Sequence, residues 1–592
     1  MGAKMKVVAS DQTKTITKQV TSMKGGLRTM PFIISNESFE KVASFGLQAN
    51  MIFYLIFEYH LDAATGTSIL FLWSALSNFT PIIGAFLADS LWGRFHVISM
   101  GTIVSLFGMI VLWLTAKLPQ TRPHHCDPYK EKCVPANTAQ VMLLFASFGL
   151  MSIGAGGIRP CSLAFGTNQL DNPDDPNNER RLQSFFNWYY ASVGVSVMLA
   201  VTVIVYIQDQ IGWVVGFGVP VGLMFLSTVF FFLGSSLYVK VPPNKNLSAG
   251  FLRVFAAAWK NKNMALPPKN FDAWYSPKGS KFVAPTDKLR YLNKACIIRS
   301  PEKDIGPDGL AKDPWSLCTV RQVQELKALI RVLPIWSSSI IISVIISQHT
   351  FPALQAKSME RHLFGKIKIP AASFSVFGIL TLTIWVAIYD RIIVPLISKY
   401  TKRPRGLSFK QRIGGGLAIS CLAMAVAAEV ERHRRQTAIR EGFLNKPDGV
   451  VGMSAKWMIP QHCLIGLAEA LNAIGQLEFY YSQFPKSMSS IAVALLTLGF
   501  GVGSLVGSLL VTIIADATRK GGVSWVSSNL NKAHYDYYYW IVAGLSVVNV
   551  FYFLLCSWAY GHCEDKTIWD EEEGEAGEEL SKSGEYAVMF SA

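Results

Sequence analysis

Long runs of apolar residues that contain no charge are the feature that most constrains how this chain folds. Eight such runs, each free of Asp, Glu, Lys and Arg, cover 63–88, 95–116, 133–158, 210–239, 332–356, 370–389, 487–515 and 537–563. Three further candidates, 30–57, 413–428 and 457–480, are short or interrupted by charge, and a twelfth covers 185–207. A helix needs about 20 mainly apolar residues to cross a bilayer. The pattern therefore predicts an all-α polytopic membrane protein with twelve transmembrane helices, numbered 1 to 12 in chain order.

The composition excludes a large soluble protein. Charged residues make up 16% of the chain and hydrophobic residues 51%, whereas soluble globular chains carry about 25% charged residues. So few charges cannot cover the surfaces of several soluble domains. We interpret the net charge of +15 as membrane topology and attraction to anionic lipid, because no nucleic-acid recognition motif accompanies it.

The charged segments divide the chain into five parts. These are a basic tail (1–29), an N-terminal six-helix bundle (30–239), a linker (240–320), a C-terminal six-helix bundle (321–563) and an acidic, disordered tail (564–592). The linker holds 14 Lys/Arg against 6 Asp/Glu. The positive-inside rule places the basic tail and the linker in the cytoplasm, and twelve crossings return the C-terminus to the same side. The first thirty residues hold no apolar segment typical of a cleavable signal peptide.

Two of the cysteines, Cys126 and Cys133, flank a polar loop between helices 3 and 4. In this topology the loop lies on the non-cytoplasmic, oxidising side, so we expect a disulfide between them. A metal site that adds His124 and His125 is the weaker interpretation, because the spacing matches no common zinc pattern. No bound metal is expected.

Three charged residues in helix 1 indicate a proton site, because ionisable groups inside a span are costly and usually functional. Glu37, Glu40 and Lys41 are spaced three and four residues apart, which places them on one helical face. Two carboxylates beside one ammonium cannot all be satisfied as ions. We therefore expect one carboxylate to exchange protons near neutral pH. The alternative is that the three residues lie in water at the cytoplasmic edge of the membrane.

Two isolated charges lie in opposite halves of the chain. Arg159 follows a charge-free run in helix 4, and Glu469 interrupts helix 10. Arginine keeps its proton at every physiological pH, so Arg159 suits an anion or a carboxylate partner. We expect an Arg159–Glu469 salt bridge that closes one side of a cavity and opens when a solute or a proton competes for it. The alternatives are a snorkelling arginine at a helix end and a permanent buried pair that joins the halves.

The loop between helices 2 and 3 contains a specific motif. Its sequence from Gly84 to Arg94, GAFLADSLWGR, has the spacing G-x-x-x-A-D-x-x-x-G-R and resembles the signature of the major facilitator superfamily. The glycines allow a tight turn, while Asp89 and Arg94 can pair with helix ends of the same half. We expect this pair to act as a conformational latch, with an ordinary polar turn as the alternative. Asp390-Arg391 near the end of helix 8 is a looser counterpart in the second half.

Several motifs in combination resemble one plant family. They are Glu37-x-x-Glu40-Lys41, the Gly84–Arg94 loop, Gly156-Gly157-Ile158-Arg159-Pro160, Phe185-Phe186-Asn187-Trp188-Tyr189-Tyr190, Leu333-Pro334-Ile335-Trp336 and Glu469 with Gln476-Leu477-Glu478-Phe479. The chain is thereby identified as a member of the plant nitrate transporter/peptide transporter family, within the proton-coupled oligopeptide transporter group, and it resembles the low-affinity nitrate transporter branch. The resemblance covers roughly 28–560. It implies a major facilitator fold, with two pseudo-symmetric halves of six helices each, and symport of solute with protons.

The resemblance also implies roles for individual residues. The helix 1 residues Glu37, Glu40 and Lys41 would couple transport to the proton. Arg159 and Glu469 would form the gating pair, and Lys327, near the start of helix 7, would add charge to the cavity.

Two positions depart from a dual-affinity nitrate transporter of the family. That protein has a nitrate-binding histidine in helix 7, where this chain has Ile346, and His349 one turn away is the candidate substitute. It also has a phosphorylatable threonine after the Gly-Arg of the motif loop, where this chain has Val97. We therefore expect this chain to lack the phosphorylation switch of affinity.

The expected function is proton-coupled symport of nitrate, with low affinity, across a plant plasma membrane by alternating access. A larger organic solute (a glucosinolate or other glycoside, gibberellin, abscisic acid or a peptide) is the alternative, and a receptor or scaffold without transport is the alternative from another class. No Ser/His/Asp or HExxH constellation indicates an enzyme, and no cofactor is expected beyond the proton gradient. The expected partners are protons, a small anionic or polar solute and the bilayer, with the chain a monomer or loose homodimer.

Overall fold

The computed structural model describes residues 25–124, 126, 133–170, 178–242, 250–267, 274–276, 285–307, 309–364, 367–401, 406–485, 488–520 and 522–561. The acidic tail, most of the basic tail and His125 lie outside these ranges.

The N-terminal half is a bundle of six long helices. Their bounds are Met30–Phe57 (helix 1), Ala63–Leu87 (helix 2), Arg94–Lys117 (helix 3), Thr138–Leu170 (helix 4), Asn178–Leu199 continued by Ala200–Ile204 and Val205–Gln210 (helix 5), and Trp213–Leu233 (helix 6). The turns at Ala200–Ile204 and at Ala88–Trp92, after helix 2, are wider π-helical turns. Single 3-10 turns cover Leu27–Thr29, Pro119–Thr121 and Gly234–Ser236.

The C-terminal half contains six further long helices, of which helix 7 is broken. The bounds are Val320–Ser337, Ile340–Ile346 and Thr350–Lys357 (helix 7), Val376–Ile388 continued by Tyr389–Ile393 and Val394–Thr401 (helix 8), Phe409–Arg440 (helix 9), Ile459–Gln483 (helix 10), Ser489–Arg519 (helix 11) and Tyr535–Tyr560 (helix 12). The 3-10 turns Ala371–Ser375 and Ala455–Met458 lead into helices 8 and 10. Two short sheets complete the half: Met359–Glu360 pairs in parallel with Val451–Ser454, and His362–Phe364 pairs antiparallel with Ile367–Lys368.

Side-chain caps fix where helices 7 and 9 begin. The Thr319 hydroxyl accepts a hydrogen bond from the Gln322 amide at 3.2 Å, and the Gln322 side chain accepts one from the Thr319 amide at 3.0 Å. Ser408 and Gln411 make the same reciprocal pair before helix 9. Such a capping box satisfies amides that have no partner inside the helix.

The count of spanning helices reaches twelve when two polar helices are included. Nine helices of the described residues are long and apolar enough to cross a membrane, and the broken helix 7, bent by 52°, is the tenth. Helices 1 and 10, with 28 and 25 residues, are also long enough to cross a membrane. Buried polar side chains lower their hydropathy; examples are Glu37, Lys41, Gln461 and Asn472. These side chains face the protein interior, where lipid does not contact them.

The described part of the linker packs on the first turns of helix 7. Its longest element is the helix Gly250–Lys260, and a 3-10 helix covers Arg290–Cys296 and a short helix Pro301–Asp304. Val254 and Ala257 of the first helix are fully buried against Cys296 and Val323. We call this side of the bundle the linker end and the opposite side the far end.

Helices 2 and 4 touch through their backbones. A Cβ atom added to Gly84 would lie 1.8 Å from the Gly156 carbonyl oxygen, so this contact needs glycine. Small residues that let helices approach closely are typical of membrane bundles. Gly93 has φ +80°, a left-handed conformation that glycine adopts without strain, and it turns the chain into helix 3 at Arg94.

The two halves meet at the far end through polar contacts. These are Ser528 Oγ donating to Asp62 Oδ1 at 2.8 Å, Ser74 with Ser504 at 3.1 Å, Ser68 with Thr512 at 3.2 Å and Arg361 with Asp209 at 3.7 Å. We call this set of four pairs the far-end seam.

A disulfide joins Cys126 and Cys133 at the far end, with their Cα atoms 5.7 Å apart. The two thiols are therefore taken up by a covalent bond and are not available as metal ligands.

Candidate functional site

A cavity of about 1400 Å³ lies between the two halves. Helices 1, 2, 4 and 5 line it from the N-terminal half, and helices 7 to 11 line it from the C-terminal half. The far-end seam closes one side. Towards the linker end the lining includes Asp390 and Arg391, whose side chains are 73% and 87% exposed. The cavity is therefore open at the linker end.

Helix 1 carries a buried charged cluster beside this cavity. Glu37 and Lys41 pair at 3.6 Å between Oε1 and Nζ, and both are almost fully buried. Glu40 is completely buried and accepts a hydrogen bond from the Ser44 hydroxyl at 2.6 Å. The expectation of one shared helical face is met, and that face lies inside the bundle. Glu37, Glu40 and Lys41 therefore do not lie in water at the edge of the membrane, which was the alternative.

Arg159 completes this cluster from helix 4. Its Nε lies 4.0 Å from Glu40 Oε1, and its side chain lines the cavity. The cluster of Glu37, Glu40, Lys41 and Arg159 therefore holds two carboxylates and two cations. Buried charges need such compensation, because each loses its hydration inside the protein.

Arg159 and Glu469 both lie in the described part of the chain, and they do not form the expected salt bridge. Glu469 lines the cavity from helix 10, while the ion partner of Arg159 is Glu40 of its own half. The two residues belong to opposite halves, and both line the cavity between them. Whether they meet therefore depends on how closely the halves approach, and in this conformation they form no ion pair.

Lys327 does not add charge to the cavity, contrary to the expectation. Its side chain is 2% exposed, and its Nζ donates to the Thr286 carbonyl at 2.8 Å. Thr286 also donates to Gln324 at 3.0 Å. The linker covers this face of helix 7, so Lys327 anchors the linker.

The motif loop forms its ion pair within one half. Arg94 Nε lies 3.1 Å from Asp89 Oδ1, and Arg94 also donates to the Ala164 carbonyl of helix 4 at 3.2 Å. The loop is thus tied to the linker end of helix 4. Asp390 and Arg391, the looser counterpart, lie 3.8 Å apart and are exposed.

Arg412 and Glu478 form a further buried ion pair at the cavity. This pair was not predicted from the sequence. It joins helices 9 and 10 and lines the cavity. The Arg412 guanidinium also lies 4.5 Å from the ring centre of Tyr389. A sequence signal existed, since Glu478 interrupts an apolar helix and Arg412 directly precedes the run 413–428.

The cavity wall of the C-terminal half also contains two imidazoles. His349 lies at the second break of helix 7, and His462 lies on helix 10. Gln348 and Ile346, the position of the expected nitrate-binding histidine, line the same cavity. His462 was missed because a lone histidine in an apolar run has no distinctive spacing.

Comparison with protein families and curated proteins identifies relatives. A family model described as PTR2, POT family, matches residues 95–527. Protein NRT1/ PTR FAMILY 1.2 of Arabidopsis thaliana is 52% identical over 558 residues, which are 93% of this chain and 92% of that protein. Protein NRT1/ PTR FAMILY 1.1 of the same plant is 51% identical over 579 residues, 96% of this chain and 98% of the relative.

Solved structures share the fold. The crystal structure of an auto-inhibited POT family peptide transporter matches with a TM-score of 0.66 at 20% identity, covering 90% of this chain and 98% of that chain. The POT family transporter PepTSo matches with the same TM-score at 18% identity. These likenesses show a major facilitator fold. With the family match and the two Arabidopsis relatives, they establish that the chain belongs to the POT family and is a proton-coupled membrane transporter of nitrate, peptides or similar solutes, not an enzyme.

Proposed function

We propose that this transporter is a low-affinity symporter that moves nitrate together with protons by alternating access. The observation that carries the proposal is the contact between Arg159 and Glu40 at the cavity wall. It joins a permanent cation that lines the cavity to a carboxylate that can take up a proton.

The charge balance of the cluster supports coupling between proton and anion. With Glu40 ionised, the two carboxylates and two cations compensate each other. A proton on Glu40 removes one negative charge, which leaves Arg159 without its ion partner and makes the cluster attractive to an anion. By thermodynamic linkage, an anion on Arg159 favours the proton on Glu40 to the same degree. Neither a metal nor an organic cofactor enters this cycle.

The proposed cycle uses the two gates in turn. The structure corresponds to a state that is closed at the far-end seam and open at the linker end. We assign the linker end and both termini to the cytoplasm, since the linker is rich in Lys and Arg. The plasma membrane is the proposed location, and approach of Arg159 to Glu469 is the proposed closure of the cytoplasmic side. Asp89 and Arg94 would hold helix 4 in position during that movement.

Uptake by oocytes tests the coupling. We expect faster uptake of isotope-labelled nitrate at acidic than at neutral pH, because the proposed cycle carries protons inward with the anion. Glu40→Gln imitates the protonated state permanently, so its uptake should no longer depend on pH. The matched control is Glu429→Gln, which changes an exposed carboxylate of helix 9 and should keep the acid stimulation. Unchanged acid stimulation in Glu40→Gln would falsify the assignment of the proton site.

A larger organic anion is the second candidate solute. The cavity is much larger than nitrate needs, and the position of the expected helix 7 histidine is Ile346. A panel of nitrate, a dipeptide, a glucosinolate and gibberellin, each tested at two pH values, separates the candidates. If none of these solutes enters cells in which the protein reaches the surface, a receptor or scaffold becomes the better explanation.

A further inference from the structure

The second break in helix 7 exposes polar groups at the depth of the cavity. Between Ile340–Ile346 and Thr350–Lys357, the His349 amide donates to the Ser347 carbonyl at 3.0 Å instead of continuing the α-helical pattern. Irregular backbone at membrane depth occurs where it lines a cavity, and broken helices shape the binding sites of many transporters. The break therefore marks a candidate binding wall.

Three side chains form this wall, which we call the imidazole wall: Gln348, His349 and His462. All three line the cavity. His349 is exposed although it lies inside the bundle, so its free surface faces the cavity. His462 is only 9% exposed, and its Nε2 has no hydrogen-bond partner among the described residues.

The Gln348 side chain makes one hydrogen bond and leaves its other polar atom without a partner among the described residues. Its Nε2 donates to the Tyr538 hydroxyl at 2.8 Å, while its Oε1 is buried without a partner in the described part of the chain. Buried polar atoms without partners are costly and uncommon. At a cavity wall, a bound solute can supply the missing hydrogen bonds.

The imidazole wall differs chemically from the wall across the cavity. Neither imidazole forms an ion pair with a carboxylate of the described residues, and Glu469 lies two turns along helix 10 from His462. As neutral groups, the two imidazoles each offer one donor and one acceptor nitrogen, and a carboxamide offers both kinds of group. The opposite wall carries the permanent cation Arg159.

We infer that the imidazole wall binds a neutral hydroxyl- or amide-bearing part of the solute, while Arg159 holds its anionic group. The solutes that would use both walls are therefore organic anions with a polar body, such as a glycosylated carboxylate. Nitrate has acceptor oxygens only, so it offers no donor to the unpartnered Oε1 of Gln348. The inference rests on the proposed transport function and assigns the second candidate its recognition site.

Two probes with the same free carboxylate test the inference. They are salicylate and the salicylate glucoside in which glucose is attached to the phenolic oxygen. We expect the wild-type protein to transport the glucoside. His462→Ala should raise the KM for the glucoside about three- to tenfold, as expected for one lost hydrogen bond between neutral groups, and leave the KM for salicylate within about twofold. His462→Asn, which can still donate and accept, should recover part of the loss. Gln348→Leu should act in the same direction as His462→Ala.

The matched control is His433→Ala, which removes an exposed imidazole of helix 9 outside the cavity lining and should change neither KM. Equal changes for both probes in His462→Ala would overturn the inference, since a general packing defect does not distinguish them. It is also overturned if the wild-type protein moves nitrate but neither transports the glucoside nor is inhibited by it. Absence of all flux, nitrate included, would instead remove the proposed function on which the inference rests.

Discussion

At the scale of single residues, the proposed coupling depends on the buried cluster of helix 1 and on its contact with Arg159 of helix 4. Glu37, Glu40 and Lys41 were grouped correctly because a helical repeat alone places them on one face. The partner of Arg159 could not be predicted in this way. It depends on how far apart the two halves stand, which is a property of the conformation and leaves no trace in local spacing.

Loss of the Arg159 charge should abolish transport. In Arg159→Ala, Glu40 loses its ion partner and the cavity loses the cation proposed to hold the anion, so neither proton release nor anion binding at this cluster is supported. Arg159→Lys keeps the charge but not the forked donor geometry, and it should retain partial uptake. The measurement is nitrate uptake normalised to the amount of protein at the cell surface.

The control for this prediction is Arg432→Ala. Arg432 forms an exposed pair with Glu429 on helix 9, and such surface pairs contribute about 0–1 kcal/mol to stability. Uptake by this variant should be normal. Wild-type uptake by Arg159→Ala would show that the cluster does not take part in transport.

At the scale of elements, the apolar runs predicted most of the helices because a span must be long and apolar. The run 332–356 predicted one helix where the structure has three segments, since the breaks at Ser338–Ser339 and Ser347–His349 leave the composition apolar. Lys327 was misassigned because a helical repeat does not tell which neighbour covers a face. Here the neighbour is the linker segment around Thr286.

The contact between helices 2 and 4 gives a prediction about stability. Gly84→Ala puts a methyl group against the Gly156 carbonyl, where the added carbon would lie 1.8 Å from oxygen. The helices must separate, and overpacking of this kind costs about 1–3 kcal/mol. We expect a lower thermal midpoint in detergent, measured by fluorescence-detected size-exclusion chromatography.

Gly149→Ala is the matched control for this substitution. Gly149 also lies in helix 4, but an added Cβ would meet no atom within 4 Å. Alanine there should leave the midpoint unchanged or raise it slightly, because alanine favours helix by up to about 1 kcal/mol. Equal midpoints for the two variants would contradict the close contact.

At the scale of the whole molecule, the proposed cycle has two gates, and it requires the far-end seam, which is closed in this structure, to open. Ser74 of helix 2 and Ser504 of helix 11 face each other at 3.1 Å between their hydroxyl oxygens. This hydroxyl contact makes the pair a suitable position for an engineered disulfide, which needs Cβ atoms about 3.5–4.5 Å apart. A double variant, Ser74→Cys with Ser504→Cys, should lose uptake on oxidation and regain it on reduction.

The single variants and the wild-type protein serve as controls for this cross-link. Oxidant and reductant should leave their uptake unchanged, which also tests whether reduction of the Cys126–Cys133 disulfide matters. Full uptake by a double variant whose cross-link is established by mass spectrometry would show that the far-end seam does not open during transport.

Helix 2 connects the two regions on which this cycle depends. Ser68 and Ser74 belong to the far-end seam, while Gly84 rests on the backbone of Gly156, three residues before Arg159. Helix 2 therefore links the seam to the helix 4 backbone beside Arg159, and a change in its tilt when the seam opens would act on that backbone. Pro81 lies between them, and proline removes a backbone hydrogen bond from the helix. The flexibility of helix 2 at Pro81 would then determine how closely the opening of the far-end seam is coupled to a movement of Arg159.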